Sequence, residues 1–285
     1  TRKAAMSFCR QTEILRWDRR VRGRMARNGN DGAGRTIGDG TRPTRRMTLA
    51  CVDCGDCPTT KEMDDNQSEG PSPPTAASVL VTGASRGIGL EFVKQWLARG
   101  SEVIATAREP SAATELSSLI DRYGDRLRVM QLDVADERSV ELLAGAIGNT
   151  DIDLLINNAG ILKVETLDNM DFGSILEQFQ TNALGALRVT HALLDNLREG
   201  SRVVNITSRM GSLDDNTSGG YYGYRMSKAA LNMATRSLAV DLKSRGITVI
   251  AMHPGMVQTD LTRGFGMLTT EASVLGINQV IDKLT

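Results

Sequence analysis

A doubly wound parallel α/β fold is predicted for this 285-residue chain by three observations. The composition changes abruptly at Ser78, from a polar, glycine- and arginine-rich head to short apolar runs. Those runs then alternate with amphipathic stretches of helical period. The first run is followed at once by a glycine-rich turn that opens a helix. Strands alternating with helices imply right-handed crossovers and a parallel sheet covered on both faces.

The elements follow in order. SVLVTG supplies the first strand, and the stretch to Gly100 the first helix. EVIATAR is the second strand, SAATELSSLIDRYG a helix, RLRVMQLDV the third strand and ERSVELLAGAIG a helix. IDLLINNAG is the fourth strand, and one long helical region is expected from about Asp171 to Leu197. RVVNITS is the fifth strand, Tyr221 to Arg245 a helix, ITVIAMHPG the sixth strand, and Thr270 to Leu284 the last helix.

Residues 1–75 have few large apolar side chains and no sustained period. Such a segment cannot bury enough apolar surface to offset its ordering entropy, so a disordered basic extension is expected, followed by one domain over 76–285. Before Met47 there are thirteen Arg or Lys against four Asp or Glu, whereas the whole chain balances 34 basic against 34 acidic residues. The balance gives no global field that argues for nucleic acid or an anionic membrane. No apolar run approaches the roughly 20 residues needed to cross a bilayer. A cytoplasmic protein is expected, with organelle targeting by the Arg-rich head as the alternative. The chain does not open on Met, so Met47 and Met63 are candidate starts. All four cysteines (Cys9, Cys51, Cys54, Cys57) lie in the head. The C-x-x-C-x-x-C spacing lacks an evident fourth ligand, and with two separated histidines, His191 and His253, no metal site is expected.

The first turn reads Thr82-Gly83-Ala84-Ser85-Arg86-Gly87-Ile88-Gly89. Glycines there allow a tight turn and close backbone approach, while the helix N-terminus offers free N–H groups to a pyrophosphate. The position after the first strand of a β/α series is the context a dinucleotide site requires. At the end of the second strand no acid stands at Ala107 to bond a ribose, and Arg86 and Arg108 can converge on a 2′-phosphate, so NADPH is favoured over NADH. The alternative gives the ribose to Glu109.

Tyr224 and Lys228 lie four residues apart in a predicted helix and so share one face. A lysine ammonium one turn away stabilises a phenolate, and the spacing therefore predicts a lowered Tyr224 pKa suited to acid/base work. Tyr221 and Tyr222 compete for that role, but neither has a lysine four residues on.

Together the Thr82–Gly89 turn, Asp133-Val134, Asn157-Asn158-Ala159-Gly160, Asn182, Ser208, Tyr224-x-x-x-Lys228 and Pro254-Gly255 resemble the short-chain dehydrogenase/reductase family, whose fold is Rossmann-type. The resemblance covers about Ser78 to Thr285. Within the family, the GGYYGYRMSKAALN stretch and the long Ser208–Tyr224 interval look like the C-factor and sniffer-type carbonyl reductase branch. The resemblance implies that Tyr224 gives a proton to a carbonyl oxygen as hydride arrives, that Lys228 lowers the Tyr224 pKa and holds the nicotinamide ribose, and that Ser208 donates to the substrate oxygen. Thr207 and Ser212 are alternatives for Ser208. Asn182 would bind a water linking Lys228 to solvent, or is a tolerated polar residue on a helix flank. The cofactor would be held by Gly83, Ser85, Arg86, Gly87, Ile88, Gly89, Arg108, Asp133, Val134, Asn158, Ala159, Gly160, Tyr224, Lys228, Pro254, Gly255, Val257 and Thr259. Asp133 would bond the adenine or cap a turn; Asn157 and Asn158 can also be turn formers.

The expected activity is NADPH-dependent transfer of hydride to a small aldehyde or ketone, the alternative being a dinucleotide-binding signalling protein with little catalysis. Thr262–Thr269 and Met210–Gly220 are expected to line the substrate pocket, with Met210, Leu213, Phe265 and Met267 making it apolar. Family habit implies a homodimer or homotetramer through the two long helices. The family also adds a seventh strand beyond the last helix, where this sequence ends. The sixth strand is therefore expected at an unprotected edge, with lowered stability or an incomplete lid unless a partner covers it.

Overall fold

The computed structural model describes residues 76–284. The basic head, its candidate start sites and the C-x-x-C-x-x-C cluster lie outside the described residues.

Six parallel strands form one sheet in the order β3-β2-β1-β4-β5-β6: β1 (Ser78–Val81), β2 (Glu102–Ala107), β3 (Leu127–Gln131), β4 (Leu154–Asn157), β5 (Arg202–Ile206) and β6 (Thr248–Met252). The central strands β1, β4 and β5 are apolar with almost no alternation, and every residue of β4 and β5 is buried, because both sheet faces carry helices. On one face lie α1 (Gly87–Ala98), α2 (Thr114–Tyr123) and α7 (Thr270–Ile281), whose Phe92, Trp96, Leu116 and Ile277 share a core with Val79 and Val81. On the other lie α3 (Glu137–Ile147), α5 (Gly185–Ala192) and α6 (Tyr222–Asp241), where Leu143 and Val189 meet Leu80, Leu155 and Val203. The order reverses between β1 and β4, and a crevice opens there at the carboxyl ends of the strands. No strand pairs with the outer side of β6 among the described residues.

Short polar residues start the helices where the sequence provides them. Asp136, Asp171 and Thr269 accept the N–H groups of Arg138, Ser174 and Ala272 at 3.0, 3.0 and 3.1 Å.

The long helical region expected over 171–197 is broken. It consists of α4 (Phe172–Phe179), a π turn over Gln180–Leu184, then α5, then a 3₁₀ turn at Leu194–Asn196. The π turn holds Asn182, and such single wide turns concentrate at functional sites. The helix expected over 221–245 ends at Asp241, with a separate 3₁₀ turn at Lys243–Arg245, and α2 begins only after another such turn at Pro110–Ala112.

Candidate active site

The glycine turn sits at the crevice, at the N-terminus of α1. Gly83 has a left-handed φ of 64°, and a Cβ there would stand 2.8 Å from Ala159 Cα, so glycine is required by both conformation and space. The turn is tied to the end of β4 through Thr82, whose hydroxyl accepts the N–H groups of Asn158 and Ala159 at 3.0 and 3.1 Å. Asn158 Nδ2 donates back to the carbonyls of Thr82 and Gly83, both at 3.0 Å. Asn158 thus holds the cradle in shape, and Asn157 donates to Asn205 and Thr190 at 2.8 and 3.0 Å, fastening β4 to β5 and α5.

No side chain caps α1, which leaves its first N–H groups open to an anion. Thr259 lies over this turn, its Cγ2 3.6 Å from where a Gly87 Cβ would be. Beside the turn is a cavity of about 320 Å³ lined by Ser85, Arg86, Ala107, Arg108, Glu109 and Ala112–Glu115. The structure therefore brings Arg86 and Arg108 to one hollow, with Arg86 also 3.6 Å from Asp260. A glycine cradle and uncapped N–H groups fit the pyrophosphate of a dinucleotide, and two guanidinium groups share the hollow with Glu109 and Glu115. Asp133 and Val134 do not line this hollow. Asp133 Oδ1 closes a turn on the Ala135 N–H at 2.9 Å, and Val134 is buried, in the way of any Cβ on Gly185. Ile88, in the first turn of α1, packs against the core. Val257 pairs with Leu268 and is buried, and the Pro254 carbonyl accepts from Ser273 Oγ at 2.6 Å, with Gly255 turning in the left-handed region at φ 83°.

The candidate acid/base residues Tyr224, Lys228 and Ser208 meet at the end of β5. Tyr224 and Lys228 are 7 % and 4 % exposed on α6. Lys228 Nζ lies 5.8 Å from the Tyr224 ring centroid and donates to Ile206 O, at the end of β5, at 2.8 Å. Ser208, two residues past β5, stands close enough to the Tyr224 phenol to pull its pKa down, and accepts the Met210 N–H at 3.2 Å. The turn it starts packs on α6 so closely that a Cβ on Gly211 would stand 2.9 Å from Lys228 Cβ. Of the alternatives, Thr207 donates to Asn232 Oδ1 at 2.6 Å and Ser212 accepts the Asp215 N–H at 3.3 Å. Tyr221 and Tyr222 are only partly buried, and neither joins this group.

Asn182 Oδ1 accepts the Ile161 N–H at 2.7 Å, and Nδ2 donates to Ile161 O at 2.8 Å and Ser227 Oγ at 3.0 Å. Its side chain is thereby committed to holding the post-β4 loop on α6. A Cβ on Gly160 would be 3.2 Å from Asn182 Oδ1 and 3.6 Å from Lys228 Nζ, which puts Gly160, Asn182 and Lys228 in one place.

The expected lowering of the Tyr224 pKa is reversed in this structure. Burial pushes the phenol up to about 12, with only the Ser208 hydrogen bond pulling it down. Burial also lowers Lys228 to about 8. Their spacing is as predicted, but burial of the two groups sets the direction of both shifts. Glu165 escaped the sequence reading altogether, and His253 entered it only as a metal ligand. Glu165 is 1 % exposed in a loop, and His253, after β6, has an unpartnered buried Nδ1 and a pKa lowered to about 4, by burial first and then by Arg209. Leu213, Phe265 and Met267 are 87 %, 75 % and 69 % exposed and Met210 is partly buried, so they do not close a chamber. Among the described residues, no helix is long and apolar enough to cross a membrane.

Comparison with known proteins agrees with this geometry. The short chain dehydrogenase family profile matches residues 77–266. A 1-hydroxy-2-glutathionyl-2-methyl-3-butene dehydrogenase from Rhodococcus sp. (strain AD45) is 37 % identical over 215 residues, 73 % of this chain and 92 % of its own. The C-signal protein of Myxococcus xanthus is 50 % identical over 136 residues, 47 % of this chain and 82 % of its own. The crystal structure of an NADPH-bound carbonyl reductase from chicken fatty liver superposes with a TM-score of 0.70 at 36 % identity, covering 74 % of this chain and 93 % of the other.

Proposed function

This chain belongs to the short-chain dehydrogenase/reductase family and is an NAD(P)-dependent oxidoreductase of its C-signal and carbonyl reductase type, and on that premise we propose that it reduces small aldehydes or ketones with NADPH, Tyr224 acting as general acid. The observation that carries the reading is the meeting of Tyr224, Ser208 and Lys228 at the carboxyl end of β5, next to a cradle that fits a phosphorylated dinucleotide.

The bound cofactor supplies the hydride. Tyr224, protonated over the whole physiological range because burial raises its pKa to about 12, donates its phenolic proton to the carbonyl oxygen. Ser208 donates a hydrogen bond to the same oxygen as negative charge builds there. The Lys228 ammonium favours the phenolate left on Tyr224. Asn182 keeps Gly160 and the loop after it on α6, so that both groups face a fixed wall. Arg86 and Arg108 hold the 2′-phosphate, and the absence of an acid at Ala107 leaves room for it. Reduction of a simple aldehyde by the purified protein with NADPH, and its loss by about 10²-fold or more in Tyr224→Phe with NADPH binding retained, tests the reading. Binding without turnover in the wild type would overturn it.

The C-signal match favours a second reading, a dinucleotide-binding signalling module. It requires Tyr224→Phe to leave the biological activity intact while disruption of the Gly83 turn abolishes it.

We propose further that the protein assembles as a homodimer or homotetramer through α4 and α6. An apolar groove of about 400 Å³, lined by Phe179, Leu184, Leu187, Ala230 and Met233, runs between the π turn and α6, and Phe172 and Met233 are 77 % and 67 % exposed. Sedimentation of the wild type and of Met233→Glu tests this: a particle of single-chain mass for the wild type would overturn it.

A further inference from the structure

We infer that Glu165 is a positioning residue for Tyr224, clamping the N-terminus of the helix that carries the proton donor; the inference rests on the reductase reading above. Helix α6 starts without the means to satisfy its own first turn. Its N-cap position is Tyr221, which gives no side-chain cap, and its first turn has no acidic residue. Tyr221 is moreover held in the left-handed region at φ 52° and ψ 41°, a conformation that surrounding contacts must hold in place. The first N–H groups of such a helix require outside acceptors.

Glu165 supplies them from 58 residues away in sequence. Its main-chain carbonyl accepts the Tyr221 N–H at 2.9 Å and its Oε2 accepts the Gly223 N–H at 3.1 Å. Oε1 accepts Ser174 Oγ at 2.7 Å and Gln178 Nε2 at 2.5 Å, both from α4. Every group reaching the side chain is a donor, the set a carboxylate takes, and no Lys or Arg pairs with it among the described residues. A buried carboxylate with no cation is tolerable when hydrogen bonds surround it and a helix N-terminus faces it, and both conditions hold here.

The clamp acts one residue from the reacting group, since Gly223 precedes Tyr224. There is no slack at Gly223: a Cβ would meet Gln178 Nε2 at 2.5 Å and Ile175 Cα at 2.9 Å. Gln178 Oε1 also accepts the Lys163 N–H at 2.9 Å, and Asn182 holds Ile161 in the same loop. One hydrogen-bonded path therefore runs from Asn182 through the 161–165 loop and Gln178 to the backbone beside Tyr224. Glu165 sets where the phenol stands against Ser208.

The test compares wild type, Glu165→Gln, Glu165→Asp and Tyr224→Phe for NADPH-dependent reduction of a simple aldehyde, NADPH affinity by cofactor fluorescence, urea midpoint, and amide exchange of the 221–226 segment. The wild type and Tyr224→Phe report on the reductase reading by themselves: an inactive wild type sinks that reading. Given an active wild type, Glu165→Gln is expected to lower kcat about 10- to 100-fold, as displacement of a catalytic group by about 1 Å does, with NADPH affinity within about threefold and exchange at 221–226 accelerated. A wild-type kcat in Glu165→Gln overturns the inference. So does a parallel collapse of urea midpoint, kcat and cofactor affinity in both Glu165 variants, which would make Glu165 a residue of the fold alone.

Discussion

Lys228 Nζ stands 5.8 Å from the centre of the Tyr224 ring, and its hydrogen bond goes to Ile206 O at 2.8 Å and not to the phenol. The pair works through charge and shape, and its pH behaviour follows from burial.

With burial lowering Lys228 to about 8, the ammonium needed beside Tyr224 is lost as pH rises through that value. kcat/KM for NADPH, which reports groups of the free enzyme, is expected to be flat at neutral pH and to fall about tenfold per unit above roughly pH 8. Lys228→Arg keeps its charge throughout, so its lower rate is expected to show no alkaline limb there. An unchanged limb in that variant would assign the titration to another group.

The reason this behaviour was not legible in the sequence is physical. Four-residue spacing shows that Tyr224 and Lys228 share a helix face, but the sign of their pKa shifts depends on burial by β5, the 208–211 turn and α4, all remote in sequence. The same division runs through the molecule. The strands, the glycine turn and Ser208 were legible because each is a local pattern or a position at a strand end. The π turn at Gln180–Leu184 and the Glu165 clamp were not, since one extra residue in a helix and one Glu in a loop acquire meaning only from partners such as Ser227 and Gly223. Asn158 can be read from sequence as a turn former or a cofactor contact, but its tie to Thr82 spans 76 residues and no local pattern shows it.

On the proposed reading, cofactor choice rests on the hollow lined by Arg86 and Arg108. A hydrogen bond to a charged group contributes about 1.5–3 kcal/mol, so Arg108→Ala is expected to raise KM for NADPH about 10- to 100-fold while leaving KM for NADH nearly unchanged. Steady-state kinetics with both cofactors checks this. Equal losses for the two would remove Arg108 from 2′-phosphate recognition and favour Glu109 on the ribose.

Ser208 and Thr207 are neighbours with different commitments. The Thr207 hydroxyl already donates to Asn232 at 2.6 Å, whereas the Ser208 hydroxyl is placed beside Tyr224, where on the proposed reading it can turn from the phenol to the substrate oxygen. Ser208→Ala is expected to lower kcat about 10²-fold, as loss of one oxyanion donor does, with stability lowered only by the lost Met210 cap, about 0.5–2 kcal/mol. Thr207→Val should do the reverse, lowering stability by about 1–3 kcal/mol through the unpaired Asn232 while kcat changes little. Exchange of these two phenotypes would transfer the catalytic role to Thr207.

His253 gives the fold an acid sensitivity separate from catalysis. Burial and the nearby Arg209 lower its pKa to about 4, against 6.5 for an unperturbed histidine, so between those values the unfolded chain binds the extra proton. Stability from this group is therefore complete above pH 6.5 and is lost as pH falls to 4, by about 3 kcal/mol at most. Below pH 4 both states are protonated and the loss stops growing. His253→Gln titrates in neither state and should narrow the difference in urea unfolding free energy between pH 7 and pH 4.5 by a large part of that amount. If the variant and the wild type lose stability in parallel over this range, the acid response belongs to carboxylates and not to His253.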